Sequence, residues 1–249
     1  MKDEAITLYD YLSSAKFVNN RRIIKGIRHG LAKVDGVVID NPNEIINPSS
    51  KVEFENKEIP YIYHFVIMLN KPGGYMSSTI DEKYPSLLHL LPTELASRAV
   101  LSGRLDHDTE GILLLSDSGR LATRLVHPSF GLEKEYQVTL DKPLIEKVAK
   151  DILENGTDFD GEIVKPAKLT YNGNIANIVV KEGKYHEVKR IFFRRGYYVC
   201  ALKRVRFDFL ELGDLKTGEW RFLNKAEEEK LFSLVKMEPQ KQVKTTNNN

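Results

Sequence analysis

Three stretches hold the residues whose types and spacing suit chemistry. Gly103-Arg104-Leu105-Asp106-His107-Asp108-Thr109-Glu110-Gly111 crowds three carboxylates into a glycine-bounded loop. A carboxylate so placed can act as a nucleophile or stabilise developing positive charge, and only one of Asp106, Asp108 and Glu110 need do so. Lys134-Glu135-Tyr136 opens a run in which a period of two puts Tyr136, Val138 and Leu140 on one face. Glu182-Gly183-Lys184-Tyr185-His186-Glu187-Val188-Lys189-Arg190 leads into a helix over about 186–195, with Val188, Ile191 and Phe192 inward and Lys189 at the edge of that stripe. A carboxylate in a dry pocket tends to protonate unless a cation stands by, and a tyrosine offers a flat face and a hydroxyl. Taken singly, each stretch has a plainer reading: a solvated acidic turn, a rim tyrosine, a charged helix face.

Other basic residues suggest contact with a polyanion. Arg21, Arg22, Lys25 and Arg28 lie mostly off the apolar stripe Ile23, Ile24, Ile27 and Leu31, with Lys16 and Lys33 nearby. Arg190, Arg194, Arg204 and Arg206 form a second cluster, with Arg204 and Arg206 on one side of an alternating strand. Lys71 opens the turn Lys71-Pro72-Gly73-Gly74, either as an ordinary surface lysine or as a rigid loop presented to an anionic backbone. The net charge of the 249 residues is only +2, so local placement of charge must carry any claim of nucleic-acid binding.

Composition narrows the alternatives. One cysteine, Cys200, excludes an internal disulfide and fits a reducing compartment; its apolar neighbours suggest a buried position. Scattered histidines argue against zinc, and no dinucleotide or nucleotide-triphosphate loop is present. No apolar run reaches membrane-spanning length. A cytoplasmic monomer that needs neither metal nor cofactor is expected.

The supporting elements follow from pattern. Two short helices and an Asp35-Gly36 hairpin fill residues 1–59. In residues 60–236, Phe65–Leu69 and Ile112–Leu115 are strands of buried type, and Asp117-Ser118-Gly119 turns the chain into a helix over Arg120–Val126. A helix at 141–153 presents Leu144, Val148 and Leu153 on one side, strands flank Asn172-Gly173, and a helix closes at Ala226–Val235. Residues 237–249 have the composition of a disordered polar tail.

Five motifs, taken in order, resemble the RsuA-type RNA pseudouridine synthases: Asn70-Lys71-Pro72-x-Gly74; Gly103-Arg104-Leu105-Asp106-x-Asp108-Thr109-x-Gly111; Lys134-Glu135-Tyr136-x-Val138; Glu182 to Arg190; and Gly213-Asp214-Leu215-Lys216-x-Gly218-Glu219-Trp220-Arg221. Leu8-x-x-x-Leu12, Ile27-Arg28-x-Gly30 and Val34-Asp35-Gly36-x-Val38 are similar to an S4 RNA-binding domain. The resemblance implies an α+β fold: a bent, mixed but mainly antiparallel sheet with a small S4-like module ahead of it. It implies Asp106 as the catalytic carboxylate, Lys189 as its cation, Tyr136 against the base, and Leu202 lining the pocket. Arg104 and Lys71 would lie near RNA, Lys71 alternatively near the base of the active site. The implied substrate is ribosomal RNA, of the small subunit on the form of His186-x-Val188-Lys189-Arg190, with large-subunit or transfer RNA as alternatives. Glu187 departs from the family's usual glutamine, Phe207-Asp208 replaces a more usual glycine-containing pair, and Asp10 weakens the S4 likeness. A silent RNA-binding assembly protein is the competing reading; a glycoside hydrolase lacks a clear second carboxylate.

Overall fold

The computed structural model describes residues 6–15, 20–59, 61 and 64–237. The expected tail from residue 238 onward, and Lys16, lie outside the described residues. The chain divides into two compact units, residues 1–64 with 240–249, and residues 65–239.

In the first unit, helices Leu8–Ser14 and Asn20–Arg28 pack on a four-stranded sheet. Leu8, Tyr11, Leu12, Ile23, Ile27, Val52 and Phe54 form its core. Gly26 is required there: a Cβ would stand 2.3 Å from the Phe54 ring. Ala32–Val34 and Val37–Ile39 pair through Asp35 and Gly36, both at positive φ, which suits a two-residue hairpin. Leu31, expected on the apolar stripe, is 44% exposed, because the helix ends at Arg28 and Gly30 turns the chain away.

The second unit is built on a nine-stranded mixed sheet. Its main strands are β1 (Val66–Lys71), β2 (Glu110–Ser116), β3 (Lys134–Leu140), β4 (Lys168–Asn172), β5 (Ile175–Val180), β6 (Val199–Phe207) and β7 (Trp220–Phe222). They lie in the order β4-β5-β3-β6-β2-β1-β7. Every pairing along this path is antiparallel except β6 with β2, which is parallel and spans only Lys203–Glu110 and Arg204–Gly111. β1 and β2 are buried on both faces, as their unbroken apolar runs require.

The four longest helices of this unit are α1 (Gly119–Val126), α2 (Glu146–Asn155), α3 (Glu187–Phe193) and α4 (Lys225–Leu234). One core joins Val138, Ile178, Val180 and Leu202 to α2 and α3; another joins Val66, Met68, Ile112 and Leu114 to α1 and α4. Ser118 caps α1 and Asn224 forms a capping box with Glu227 on α4.

Two sequence expectations fail here. Helix α2 begins at Glu146, five residues later than expected, so Ala149 and Ile152 face the core while Leu153 is 36% exposed. Strand β6 carries two register shifts against β3, at Val205 and at Cys200. Each adds an unpaired residue and reverses the alternation. Cys200 is therefore exposed rather than buried, and Leu202, Arg204 and Phe207 are the buried positions.

Candidate active site

Asp106 stands on the loop between the short strand Val100–Leu101 and β2, near the parallel crossing of β2 and β6. Gly111 makes that crossing possible. Its φ is +101°, and a Cβ there would lie 2.1 Å from the Arg204 carbonyl oxygen. Only glycine permits so close a backbone approach.

The loop is held from beneath. Lys71, at the end of β1, is wholly buried and donates to the carbonyl oxygens of Thr109 at 2.8 Å, Pro72 at 3.0 Å, Asp106 at 3.1 Å and His107 at 3.2 Å. Ser77 adds a reciprocal pair with the Leu105 backbone, and Gly74 N–H donates to His107 C=O. Lys71 is thus not an RNA contact: burial turns its ammonium inward, where loop carbonyls take the place of water. Burial lowers its pKa to about 8, against the opposing pull of Asp108, Asp106 and Glu110.

Helix α3 brings the cation. Lys189 Nζ lies 2.9 Å from Asp106 Oδ2 and 2.7 Å from Asp108 Oδ1. Burial alone would lower the Lys189 pKa, but hydrogen bonds to Asp108 and Asp106 prevail and raise it. At Asp108 burial acts upward, and Lys189 brings the net shift down. His186, in left-handed backbone at the N-cap of α3, places Nε2 3.4 Å from Asp106 Oδ1. Asp106, Tyr136, Lys189 and Leu202 line one pocket, with Arg104 exposed at its rim.

Behind Tyr136 sits Arg204, only 4% exposed. It donates to the Ile112 carbonyl at 2.6 Å and to the Tyr136 hydroxyl at 3.3 Å. The expectation of an RNA-facing Arg204 gives way to this inward role, because the bulge at Val205 turns it in. Arg206 is also withdrawn, held by Glu135 at 2.9 Å, Glu133 at 3.2 Å and the Asp208 carbonyl. Arg190 lies over the Phe159 ring, 3.8 Å from Asp160, and Arg194 remains exposed. Arg21, Arg22, Lys25 and Arg28 are exposed, though Arg22 forms a two-point pair with Glu55.

Sequence reading missed two buried ionisable residues at this site. Lys134 adjoins the pocket, donates to the Lys181 carbonyl at 3.0 Å, and is brought to a pKa of about 8 by burial and then by Arg204. Its position two residues before Tyr136 was the available signal, since alternate strand residues share a face. Glu187, expected beside Lys189, is buried on another side of α3 and accepts from Lys184 N–H at 3.0 Å. Burial raises its pKa.

Comparison with known proteins agrees with this geometry. The family model for RNA pseudouridylate synthase matches residues 65–240. An uncharacterized RNA pseudouridine synthase of Aquifex aeolicus is 38% identical over 234 residues, covering 92% of this chain and 98% of that protein. Ribosomal small subunit pseudouridine synthase A of Haemophilus influenzae is 36% identical over 217 residues, covering 83% and 91%; that of Escherichia coli K12 is 34% identical over 214 residues, covering 84% and 91%. A crystal structure of a pseudouridylate synthase superposes with a TM-score of 0.64 at 31% identity, covering 91% of this chain and 99% of that one. A carboxylate clamped by a lysine in a half-open pocket, on this sheet and across this length of shared sequence, makes the chain a member of the RNA pseudouridine synthase family.

Proposed function

We propose that this enzyme converts a uridine of ribosomal RNA, most specifically small-subunit RNA, to pseudouridine, with Asp106 as its catalytic carboxylate. The observation that carries the assignment is the 2.9 Å Lys189–Asp106 pair in the pocket shared with Tyr136 and Leu202. The small-subunit assignment draws on the ribosomal small subunit pseudouridine synthases that share about a third of this sequence.

The chemistry is an isomerisation. The C1′–N1 bond breaks, the detached uracil turns, and C5 bonds to C1′. C5 then loses a proton and N1 carries one, so atoms and electrons balance without a redox partner or a group donor. Asp106 meets the positive charge developing at C1′, as nucleophile or as electrostatic partner. Lys189 holds that carboxylate in place through the 2.9 Å ion pair. Tyr136 gives the base a flat wall. Because its oxygen accepts from Arg204, the hydroxyl proton is directed away from the guanidinium, leaving the group free to exchange a proton with the base.

The target leaves its stack before it enters, at a cost of a few kcal/mol. Arg104 at the rim and the exposed Arg194 supply positive charge toward the backbone. Residues 1–59 serve as an S4-like RNA-binding module through Arg21, Arg22, Lys25 and Arg28, attached to a catalytic domain of residues 60–236. The enzyme acts as a cytoplasmic monomer.

The test is tritium release from C5-labelled uridine in unmodified small-subunit RNA, with wild type and Asp106→Asn side by side. Release by wild type alone establishes the reaction and its central group. Silence of wild type on naked RNA, partly assembled subunits, large-subunit RNA and transfer RNA, with RNA binding retained, returns the protein to a non-catalytic assembly role.

A further inference from the structure

Tyrosine rings in folded proteins are mostly covered, yet Tyr185 is 76% exposed. It lines the cleft that also holds Arg104, Asp106 and Tyr136. One face of its ring lies on His186, with the ring centres 3.8 Å apart and the planes 18° from parallel. His107, on the same cleft, carries a second such stack with Tyr84 at 4.4 Å, and there the Lys83 ammonium lies 5.5 Å from the tyrosine ring centre. Among the described residues Tyr185 has His186 as its one stacking partner, so its other face is open.

The ring is held rather than left to swing. His186 has left-handed backbone, φ +51°, at the N-cap of α3. That conformation costs energy in a residue with a side chain and persists where the surroundings enforce it. On the other side of Tyr185, Lys184 is fixed through its N–H on Glu187 and through its ammonium on Glu162 and Glu182. The imidazole reaches Asp106 Oδ1 at 3.4 Å, while Lys189 takes Oδ2. The stack therefore starts at the catalytic carboxylate and ends on an open aromatic face.

We propose that Tyr185 is a stacking platform for the base of a nucleotide adjoining the target uridine. This rests on the synthase reading above. Extrusion of the uridine strips a stacking partner from the base on each side of it. Unstacked bases of RNA settle on aromatic side chains, and a ring fixed beside the pocket replaces one lost partner. It thereby offsets part of the cost of extrusion. Only the two rings of the stack separate such a base from Asp106, so the base taken up is that of the next nucleotide and not a remote one. Every base has a π-face, so the platform accepts any of the four.

The test is a cycle between protein and RNA. The proteins are wild type, Tyr185→Ala and Tyr185→Phe. The RNA is one that wild type modifies, with the nucleotides beside the mapped uridine intact, or with an abasic residue on one side or on the other. The readouts are thermal melting and the second-order rate of single-turnover tritium release. Tyr185→Ala should melt as wild type and release tritium about 5- to 100-fold more slowly, the effect of losing one base–aromatic stack. Tyr185→Phe, which keeps the face and loses the hydroxyl, should restore the rate to within about threefold of wild type. Removing the base on one side should slow wild type at least about fivefold more than it slows Tyr185→Ala, and removing the other should slow both alike. An alanine variant within about twofold of wild type on the intact RNA overturns the proposal. So does a loss of equal size on all three RNAs, which places Tyr185 away from both neighbours; with a lowered melting point it makes the residue a brace for His186. A phenylalanine variant as slow as the alanine one overturns it in favour of a hydroxyl contact. Silence of wild type on every RNA defeats the underlying reading instead, and this proposal with it.

Discussion

Replacing Lys71 with methionine separates two views of this residue. The sequence leaves Lys71 as a surface lysine, a loop lysine near RNA or a lysine near the base of the active site; in the structure its ammonium gathers four carbonyl oxygens beneath the Asp106 loop. Methionine fills similar space but donates nothing. The four carbonyls lose a charged partner, and those that solvent cannot reach remain unmet, each at about 1–3 kcal/mol. Since some of the loop reopens to water, the expected loss is about 3–5 kcal/mol, the usual cost of breaking a buried charged network. That is a large share of the roughly 5–15 kcal/mol that holds a domain together. Urea unfolding measures it, and hydrogen exchange at Thr109 and Gly74 locates it, because Thr109 N–H donates to the Asp106 carbonyl and Gly74 N–H to that of His107. Tritium release should fall by at least about 100-fold, since a displacement of roughly 1 Å at a catalytic group has that effect. The reasoning is refuted if Lys71→Met unfolds within 1 kcal/mol of wild type, to order of magnitude, and acts at a normal rate. If RNA affinity alone weakens, with a salt slope shallower by about one, the surface-contact view is restored.

Lys189→Met strips Asp106 of its nearest cation and should lower the single-turnover rate at least about 100-fold while leaving RNA affinity within about threefold; Asp108→Asn, which leaves Lys189 on Asp106, should cost only a few-fold. Activity should fall as pH rises through about 8, where Lys71 and Lys134 lose their protons; neutral Lys71 has two donors left for four carbonyls. The stability trend runs the other way. The folded value lies below the ordinary 10.5, so the unfolded chain binds more protons between about 8 and 10.5, and the contribution of Lys71 to folding rises across that window; alkaline activity loss should therefore appear without a matching fall in melting temperature. Arg206→Ala, which breaks partly exposed pairs with Glu133 and Glu135, should cost about 1 kcal/mol in stability and leave the salt dependence of RNA binding unchanged. Arg194→Ala should do the reverse, reducing the salt slope by about one with no loss of stability.

Much of the fold is readable from local pattern. The doubly buried strands β1 and β2 show as unbroken apolar runs, the Asp35-Gly36 hairpin as its turn residues, and α3 as a three-and-four spacing closed by Gly196. The meeting of Asp106, Tyr136 and Lys189 came from the order of five motifs, because spacing alone allows such a contact and does not impose it. The direction of Lys71 is not readable, since three of its four acceptors lie 35 to 38 residues downstream. The two bulges in β6 break strict alternation and turn Arg204 inward, while Cys200, expected buried from its apolar neighbours, is exposed at the second bulge. Glu187 was singled out as a departure, but its burial depends on how α3 seats against the sheet, which no local window contains.

The parallel contact of β2 with β6 spans two residue pairs, while the antiparallel ladders on either side are longer. Asp106 and Lys71 belong to one flank of that narrow junction; Tyr136, Lys189 and Leu202 belong to the other. The proposed catalytic groups thus come from two plates and meet across their thinnest joint. With a lever arm of roughly 10 Å, about the spacing of packed layers, a relative tilt of about 6° shifts one plate's side chains by roughly 1 Å against the other's, enough to change the rate about 100-fold. The backbone approach at Gly111 removes the slack in which such a tilt would start. An alanine there, though far smaller than any catalytic side chain, would act as a wedge driven between the plates and would part the carboxylate from its lysine.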